Sequence, residues 1–346
     1  DGVNDKGEPL AAGTYFVIFK GRSINRIITT YVDIRRKITM KKQFYIFIVM
    51  AMFAASVNAQ QHPLFSHYMF NGLFVNPAYA GSKEFVSTTL IARKQWTGFE
   101  GAPSSQIASL HAPLNNQKVG LGAVISNDKI GITSQTDFYG SYAYHIPMNT
   151  GKISMGLSGG FSYFKSKFSE LTVWDTDDPV YETNSLSNIL PNFGAGVYYY
   201  SNKFYAGLSV PQLISYDPDQ PLHIEVEKVH KVSRHYYLTS GMIIATAGEL
   251  KFRPSFLVKY AANAPIQYDL NLNMLISDII WVGASYRSSD AITAILEYQV
   301  NKKLRVGYSY DYTLSEIRSY SSGSHEIVIG YDFGFNVLKM KTTRYF

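Results

Sequence analysis

The sequence predicts an all-β protein, a transmembrane outer-membrane β-barrel of about 14 antiparallel strands with a short N-terminal plug or lead-in segment. Three observations predict it: an export signal, a series of segments with alternating hydrophobicity, and a regular succession of short and long connections. The composition agrees, because 15% of the 346 residues are aromatic and only 17% are charged. Aromatic, weakly charged strands are typical of a barrel that faces lipid.

A hydrophobic signal sequence occupies residues 40–59. Its Met40 is followed by two lysines and a 12-residue apolar run, and small residues end it at Ala59. The run is shorter than the roughly 20 residues that a membrane-spanning helix needs. We therefore expect cleavage after Ala59, a mature protein that starts at Gln60, and a location in the outer membrane of a Gram-negative bacterium.

The net charge depends on this leader. Residues 1–59 hold 9 of the 32 Lys and Arg and 4 of the 26 Asp and Glu, so the remainder carries +1 instead of +6. A nucleic-acid partner is therefore not indicated. The chain has no cysteine, which excludes disulfides, thiolate metal sites and a cysteine nucleophile. No apolar run of 18 residues follows Ala59, so no transmembrane helix is predicted.

Fourteen segments alternate between apolar and polar residues, as strands with two different environments do. In residues 266–274 one face is entirely apolar and the other entirely polar. Many segments have about the 9–11 residues that a tilted strand needs to cross a bilayer. They lie at roughly 84–95, 104–112, 117–127, 134–146, 151–165, 189–201, 203–209, 234–247, 249–260, 265–276, 279–288, 291–300, 303–312 and 323–334.

The connections between these segments alternate in length. Those after even-numbered segments are tight turns of Asn, Asp, Gly and similar residues, which suit two-residue hairpins. Most of those after odd-numbered segments are longer, at 96–103, 128–133, 166–188, 210–233 and 313–322, whereas 288–290 is short. A secreted β-sandwich also has alternating strands, but this regularity favours the barrel. The short turns and both chain termini are then expected on the periplasmic side.

Several short motifs of the mature chain resemble the PorP/SprF family of the type IX secretion system. They lie at 65–71 (FSHYMFN), 75–82 (VNPAYAGS), 93–98 (RKQWTG), 101–103 (GAP), 207–211 (GLSVP), 308–311 (YSYD), 324–327 (SHEI) and 344–346 (RYF). The resemblance covers about residues 60–346. It implies a Bacteroidetes outer-membrane barrel that works with the secretion machinery. It further implies a cargo of surface adhesins with a gliding-motility-type (type B) C-terminal domain, which the barrel helps to export or anchor.

Candidate contact residues follow from these motifs and from the two longest loops, 166–188 and 210–233, which mix aromatic and charged residues. We expect no catalytic residue, cofactor or metal ion. The candidates are Asn76, Pro77, Tyr79, Gly81, Arg93, Trp96, Gly98, Trp174, Tyr181, Tyr216, His325 and Glu326.

The chain divides into five predicted parts. Residues 1–39 resemble the last strands of a type B C-terminal domain, so they are interpreted as the end of an upstream adhesin joined to the barrel, or alternatively as an unrelated β extension. The other parts are the signal peptide, a segment 60–83, the barrel at 84–334 and a tail at 335–346. Segment 60–83 could be a plug in the lumen, a periplasmic docking element or a simple lead-in, and it is expected to begin on the periplasmic side.

Two groups of residues contain side chains of the types that bind metal ions. Asp175, Asp177, Asp178 and Glu182 lack the spacing of a calcium loop, so a solvated loop is favoured. His325 has no second histidine four residues on, and Glu326 is expected to point into the lumen. Inward-facing polar residues are interpreted as a hydrated network, with a channel lining as the alternative; they are Asp269, Asn271, Asn273, Glu297 and Arg305. The competing function is a channel or transporter for small solutes.

Overall fold

The computed structural model describes residues 13–20, 27–34, 63, 65–83, 85–114, 117–167, 185–216, 224, 233–246, 250–262 and 264–333. The chain forms two compact units, residues 1–57 and residues 58–346. In the first unit, β1 (Gly13–Lys20) and β2 (Ile27–Ile34) pair as an antiparallel hairpin. Its assignment to an adhesin domain stays a prediction.

The second unit contains one antiparallel sheet. β10 and β11 are two stretches of one strand interrupted at Ile243, so the sheet has fourteen strands, as the sequence predicts. The strands are β3 (Val86–Lys94), β4 (Ser104–Leu114), β5 (Val119–Ile130), β6 (Thr133–Pro147), β7 (Lys152–Ser166), β8 (Leu186–Tyr200), β9 (Phe204–Val210), β10 (His235–Met242), β11 (Ile244–Ala245), β12 (Leu250–Ala261), β13 (Gln267–Ile276), β14 (Ile280–Arg287), β15 (Ala291–Gln299), β16 (Leu304–Thr313) and β17 (Ser324–Phe333).

The sheet closes on itself. The last strand, β17, pairs with the first barrel strand, β3, where Glu326 lies opposite Arg93. β10 pairs with β9 on one side and with β12 on the other, so every strand described in this sheet has two neighbours. Closure satisfies the backbone groups that an open edge would leave without partners in lipid. The predicted barrel is confirmed.

Alternation along each strand separates the two faces of the barrel wall. On β13, Leu270 and Leu272 are 52% and 55% exposed on the outer face, whereas Asp269 and Asn273 are buried on the inner face. Apolar residues outside and polar residues inside are the pattern of a strand between lipid and a lumen. No helix among the described residues is long and apolar enough to cross a membrane.

Most connections follow the predicted pattern. Ser277 and Asp278 turn between β13 and β14 with φ of 52° and 58°, as a two-residue hairpin requires. One predicted long loop, 128–133, is wrong: Ile130 pairs with Thr133, and Gly131 (φ 55°) begins a two-residue turn. The error arose because the polar residues 126–129 continue the strand after the hydrophobic alternation has ended. Most of loops 166–188 and 210–233 lies outside the described residues.

Residues 65–83, named here the lumen segment, lie inside the barrel. They form a 3-10 turn (Tyr68–Phe70), the short helix α1 (Gly72–Val75) and a second 3-10 turn (Pro77–Tyr79). The Asn76 side chain starts the last turn by accepting a hydrogen bond from the Ala78 amide, and Pro77 occupies its first position. Most residues of the segment are buried, and the described core is built around them.

The lumen segment runs from the long-loop end of the barrel to the short-turn end. Arg287, the last residue of β14, donates to the Phe65 carbonyl oxygen (3.4 Å) at a connection of the long-loop side. His145, two residues before the end of β6 at a short turn, donates to the Ala80 carbonyl oxygen (3.0 Å). The segment therefore starts at the end of the barrel opposite to the one expected from its position before β3.

Candidate functional site

A buried polar cluster holds the start of the lumen segment; it consists of Ser66, His67, Arg93, Asp311 and Glu326 and is called the anchor cluster. The carboxylate of Glu326 accepts hydrogen bonds from the backbone N–H groups of Ser66 and His67, each at 2.8 Å. Its Oε1 also lies 2.7 Å from His67 Nδ1. One carboxylate thus binds two consecutive residues of the segment at three points.

Arg93 joins the two carboxylates of the anchor cluster. Its Nη2 lies 2.6 Å from Asp311 Oδ2, and its Nη1 lies 3.4 Å from Glu326 Oε2 and donates to Ser66 Oγ at 3.1 Å. The Ser66 hydroxyl in turn donates to Asp311 Oδ1 at 2.9 Å. Buried charges are tolerated only when they are paired and hydrogen-bonded. Each partner in the cluster therefore depends on the others.

A second arginine extends this network toward the long-loop end. Arg287 Nε lies 3.1 Å from Asp269 Oδ2, and Arg287 Nη1 lies 3.3 Å from Asp290 and 3.6 Å from Asp311. The same guanidinium reaches the Phe65 carbonyl. Strands β3, β14, β16 and β17 thus all hold the first residues of the lumen segment through charged or charge-assisted contacts, and Asp269 on β13 holds Arg287.

The anchor cluster unites four of the motifs that carry the family resemblance. Motifs 65–71, 93–98, 308–311 and 324–327 contribute Ser66 and His67, Arg93, Asp311 and Glu326, although Ser66 and Glu326 are 260 positions apart. Sequence reasoning named Arg93 and Glu326 but missed the other three. For Asp311 the sequence offered a signal, because it is a polar residue at a lumen-facing strand position within the motif 308–311.

The other end of the lumen segment is held by backbone contacts. Asn76 Nδ2 donates to the carbonyl oxygens of Val197 (3.0 Å) and Leu208 (3.4 Å), on β8 and β9. The segment lies close to the wall at this end because glycines in the strands have no side chain there. A Cβ on Gly156 would lie 2.2 Å from the Ala78 nitrogen, and one on Gly196 would lie 2.1 Å from Asn76 Oδ1. These two strand glycines are therefore required by the segment.

Tyr79 and Gly81 complete this end. The Tyr79 ring meets His111 and Tyr198 edge to face, with centroids 5.2 Å and 5.5 Å apart. Gly81 has a left-handed backbone (φ 69°), and a Cβ there would lie 2.4 Å from the Gly120 Cα. The Lys83 ammonium donates a hydrogen bond to Ser87 Oγ at 3.2 Å.

Between the two ends the lumen is filled by side chains. The Arg253 guanidinium lies 4.1 Å from the Phe70 ring centroid and 4.4 Å from that of Trp281, a double cation–π contact. Asn271 Nδ2 donates to the Tyr68 hydroxyl. A cavity of about 20 Å³ remains beside Tyr68 and Tyr79, which is room for about one water molecule.

The inward-facing polar residues predicted from the strand pattern are all buried. Asp269 pairs with Arg287, and Arg305 lies 3.9 Å from both Glu297 and Asp332. The two amide atoms of Asn273 have no partner within the described residues, and a buried amide in that state is normally hydrated. The inner face thus combines ion pairs with positions suited to water.

Three candidates lie at the long-loop rim. Trp96 and Gly98 have positive φ (48° and 99°), and the Trp96 amide donates to Ser324 Oγ at 3.1 Å. His325 is on the opposite face from Glu326: its Nδ1 lies 2.6 Å from the Tyr308 hydroxyl on the outer surface. Of these two adjacent motif residues, Glu326 therefore faces the lumen and His325 faces the outside of the barrel.

The candidates of the longest loops are placed only in part. Tyr216 is buried, and its hydroxyl donates to the Pro191 carbonyl oxygen on β8. Trp174 and Tyr181 lie outside the described residues, as does the acidic group that contains Asp175. No group of three metal-ligating side chains occurs in the part of the chain that the structure describes. The twelve candidates thus lie in four places: the anchor cluster, the short-turn end of the lumen segment, the long-loop rim and the two longest loops.

Residues 57–331 match the family described as type IX secretion system membrane protein PorP/SprF. The chain belongs to this family. It is therefore an outer-membrane component of type IX secretion that associates with the secretion machinery. The match contains the lumen segment and all five residues of the anchor cluster.

Solved structures that resemble this PorP/SprF member are outer-membrane barrels. They include Omp33 of Acinetobacter baumannii (8% identity, 73% of this chain and 100% of that chain, TM-score 0.43) and the NanC porin (7% identity, 72% and 100%, TM-score 0.37). The KdgM porin has 11% identity over 72% of this chain and 99% of that chain, with a TM-score of 0.35. These distant likenesses carry no argument about function. No curated protein matches the chain.

Proposed function

We propose that this barrel is a non-enzymatic accessory protein that binds surface adhesins carrying a type B C-terminal domain and helps to export or anchor them. The observation that carries the proposal is the lumen segment. It crosses the lumen and is held at both ends, by Glu326 and Arg93 at one and by Asn76 contacts at the other. A barrel filled in this way suits a docking function better than conduction of a polypeptide.

The long-loop end is the proposed docking surface. Loops 166–188 and 210–233 are the longest connections and carry Trp174, Tyr181 and Tyr216. The wall supports the second loop at its start, because the Leu213 amide donates to the Phe193 carbonyl oxygen (2.7 Å) on β8. Extended segments that lie beside a strand allow a partner to bind by β-augmentation, with side-chain pockets for specificity.

Loop replacement tests the proposal. Residues 168–184 are exchanged for a short Gly-Ser linker, and the secreted and surface proteins are compared with wild type by mass spectrometry. We expect one adhesin, or a few with type B domains, to disappear from the surface while other secretion continues. The control exchanges residues 316–320, a turn on the same side. Normal adhesin export after deletion of the entire barrel would contradict the proposal.

A channel for small solutes is the second candidate, favoured by the polar inner face and the unpartnered amide of Asn273. It predicts impaired solute uptake with unchanged secretion after deletion of the barrel. The same deletion strain therefore separates the two functions. A purely structural protein predicts neither effect.

A further inference from the structure

The direction of the lumen segment bears on where the mature chain begins. Ser66 and His67 bind Glu326, the third residue of β17, and Ser66 also binds Arg93, the last residue but one of β3. Both of these strand ends lie beside long connections. At the opposite end Lys83 reaches Ser87, the second residue of β3. The chain thus crosses the lumen before β3 begins.

Residues upstream of Phe65 lack the length to return. Five peptide units separate Gln60 from Phe65, and they span at most about 18 Å when fully extended. On the neighbouring strand β4, Ser105 lies opposite Arg93, and the nine residues from there to Leu114 at the short turn rise about 30 Å along the strand, or about 21–24 Å along the barrel axis at a tilt of about 35–45°.

We propose that the mature chain passes outward through its own barrel, so that its N-terminus is presented at the long-loop mouth on the cell surface. There it adjoins the long-loop end of the barrel. The proposal holds whichever partner the barrel serves. It also sets an order of events, because a leader still attached at Gln60 would have to follow the segment through the lumen. Signal cleavage therefore precedes closure of the barrel.

Cysteine labelling tests this placement, because the natural chain has no cysteine. Three single variants are compared: His62→Cys, Tyr320→Cys at an exposed long-loop position, and Lys302→Cys at an exposed short turn. Intact cells receive a maleimide that does not cross the outer membrane. We expect His62→Cys and Tyr320→Cys to react on intact cells, and Lys302→Cys to react only after the membrane is disrupted. Heat-modifiable migration on gels confirms that each variant forms a barrel.

Two results would overturn the placement. One is a His62→Cys variant that follows Lys302→Cys in needing membrane disruption. The other is labelling of Lys302→Cys alone on intact cells, which would reverse the barrel. If His62→Cys reacts under neither condition, an epitope tag inserted after Ala59 decides the question: antibody binding to intact cells supports the proposal, and binding only after disruption refutes it.

Discussion

His67 and Glu326 form the closest charged contact between the lumen segment and the barrel wall. Glu326 Oε1 lies 2.8 Å from the His67 backbone nitrogen and 2.7 Å from the Nδ1 atom of its ring, and both side chains are fully buried. Because Glu326 belongs to β17, the contact joins the segment that precedes the first barrel strand to the last strand of the barrel. The start of the segment can thus be held only after β17 is in place.

Removal of the Glu326 charge should destabilise the barrel. In Glu326→Gln, Arg93 loses one of two carboxylate partners and remains buried, and breaking a buried ion pair costs about 3–5 kcal/mol. We expect a lower urea midpoint for unfolding of the purified barrel in lipid vesicles. The matched control is Glu316→Gln on an exposed turn, which should change stability by less than about 0.5 kcal/mol. Equal effects of the two variants would show that the anchor cluster contributes nothing.

A methyl group at Gly156 should displace the lumen segment. In Gly156→Ala the new Cβ would lie 2.2 Å from the Ala78 nitrogen, whereas in the control Gly140→Ala the nearest atom is 3.9 Å away. We expect Gly156→Ala to make the segment sensitive to protease and to raise ion conductance in planar bilayers. Gly140→Ala should behave as wild type. Unchanged conductance and protease resistance in Gly156→Ala would mean that the segment tolerates the loss of this close approach.

Replacement of Asn76 should lower the stability of the barrel more than replacement of an asparagine on the outer face. Asn76→Ala loses the hydrogen bonds to Ala78, Val197 and Leu208 and leaves buried backbone groups without partners, at about 1–3 kcal/mol for each unsatisfied group. Asn127→Ala loses one bond, to Thr136, at a partly exposed position. Urea unfolding measures both variants. A larger loss for Asn127→Ala would contradict the role given to Asn76.

The mature protein should start at Gln60. Mass spectrometry of the N-terminal peptide of the barrel purified from outer membranes should identify Gln60 as the first residue, because small residues precede it at the cleavage site. A first residue at Gln60 is also the premise of the cysteine-labelling experiment. A chain that begins at Asp1 would refute both the predicted cleavage and the interpretation of residues 1–39 as the end of another protein.

The barrel was predictable because its determinants are local. Each wall residue faces either lipid or the lumen. The alternation of neighbouring residues alone therefore shows that Asp269 faces the lumen and Leu270 faces lipid. Turn residues such as Ser277 and Asp278 mark the hairpins for the same reason. The hydrophobic alternation ends where a strand extends beyond the membrane. It therefore predicts a loop at residues 128–133, where the structure has paired strand residues and a two-residue turn.

The site was predictable only in part. Arg93 and Glu326 were named from motifs, but neither the pairing of Arg93 with Asp311 nor the binding of Ser66 and His67 to Glu326 could be inferred. These contacts join residues more than 200 positions apart, and they exist only when β3, β16 and β17 are neighbours in a closed sheet.

The sequence by itself determined the class of fold, the strands with most of their turns, and the family resemblance, and it predicts an export signal. Each of these depends on residue types within short windows. Only the tertiary structure decided that residues 65–83 fill the lumen, in which direction they cross it, and which charges hold them. Those outcomes depend on barrel closure, because buried charges such as Arg93 and Glu326 find their partners only across the assembled wall.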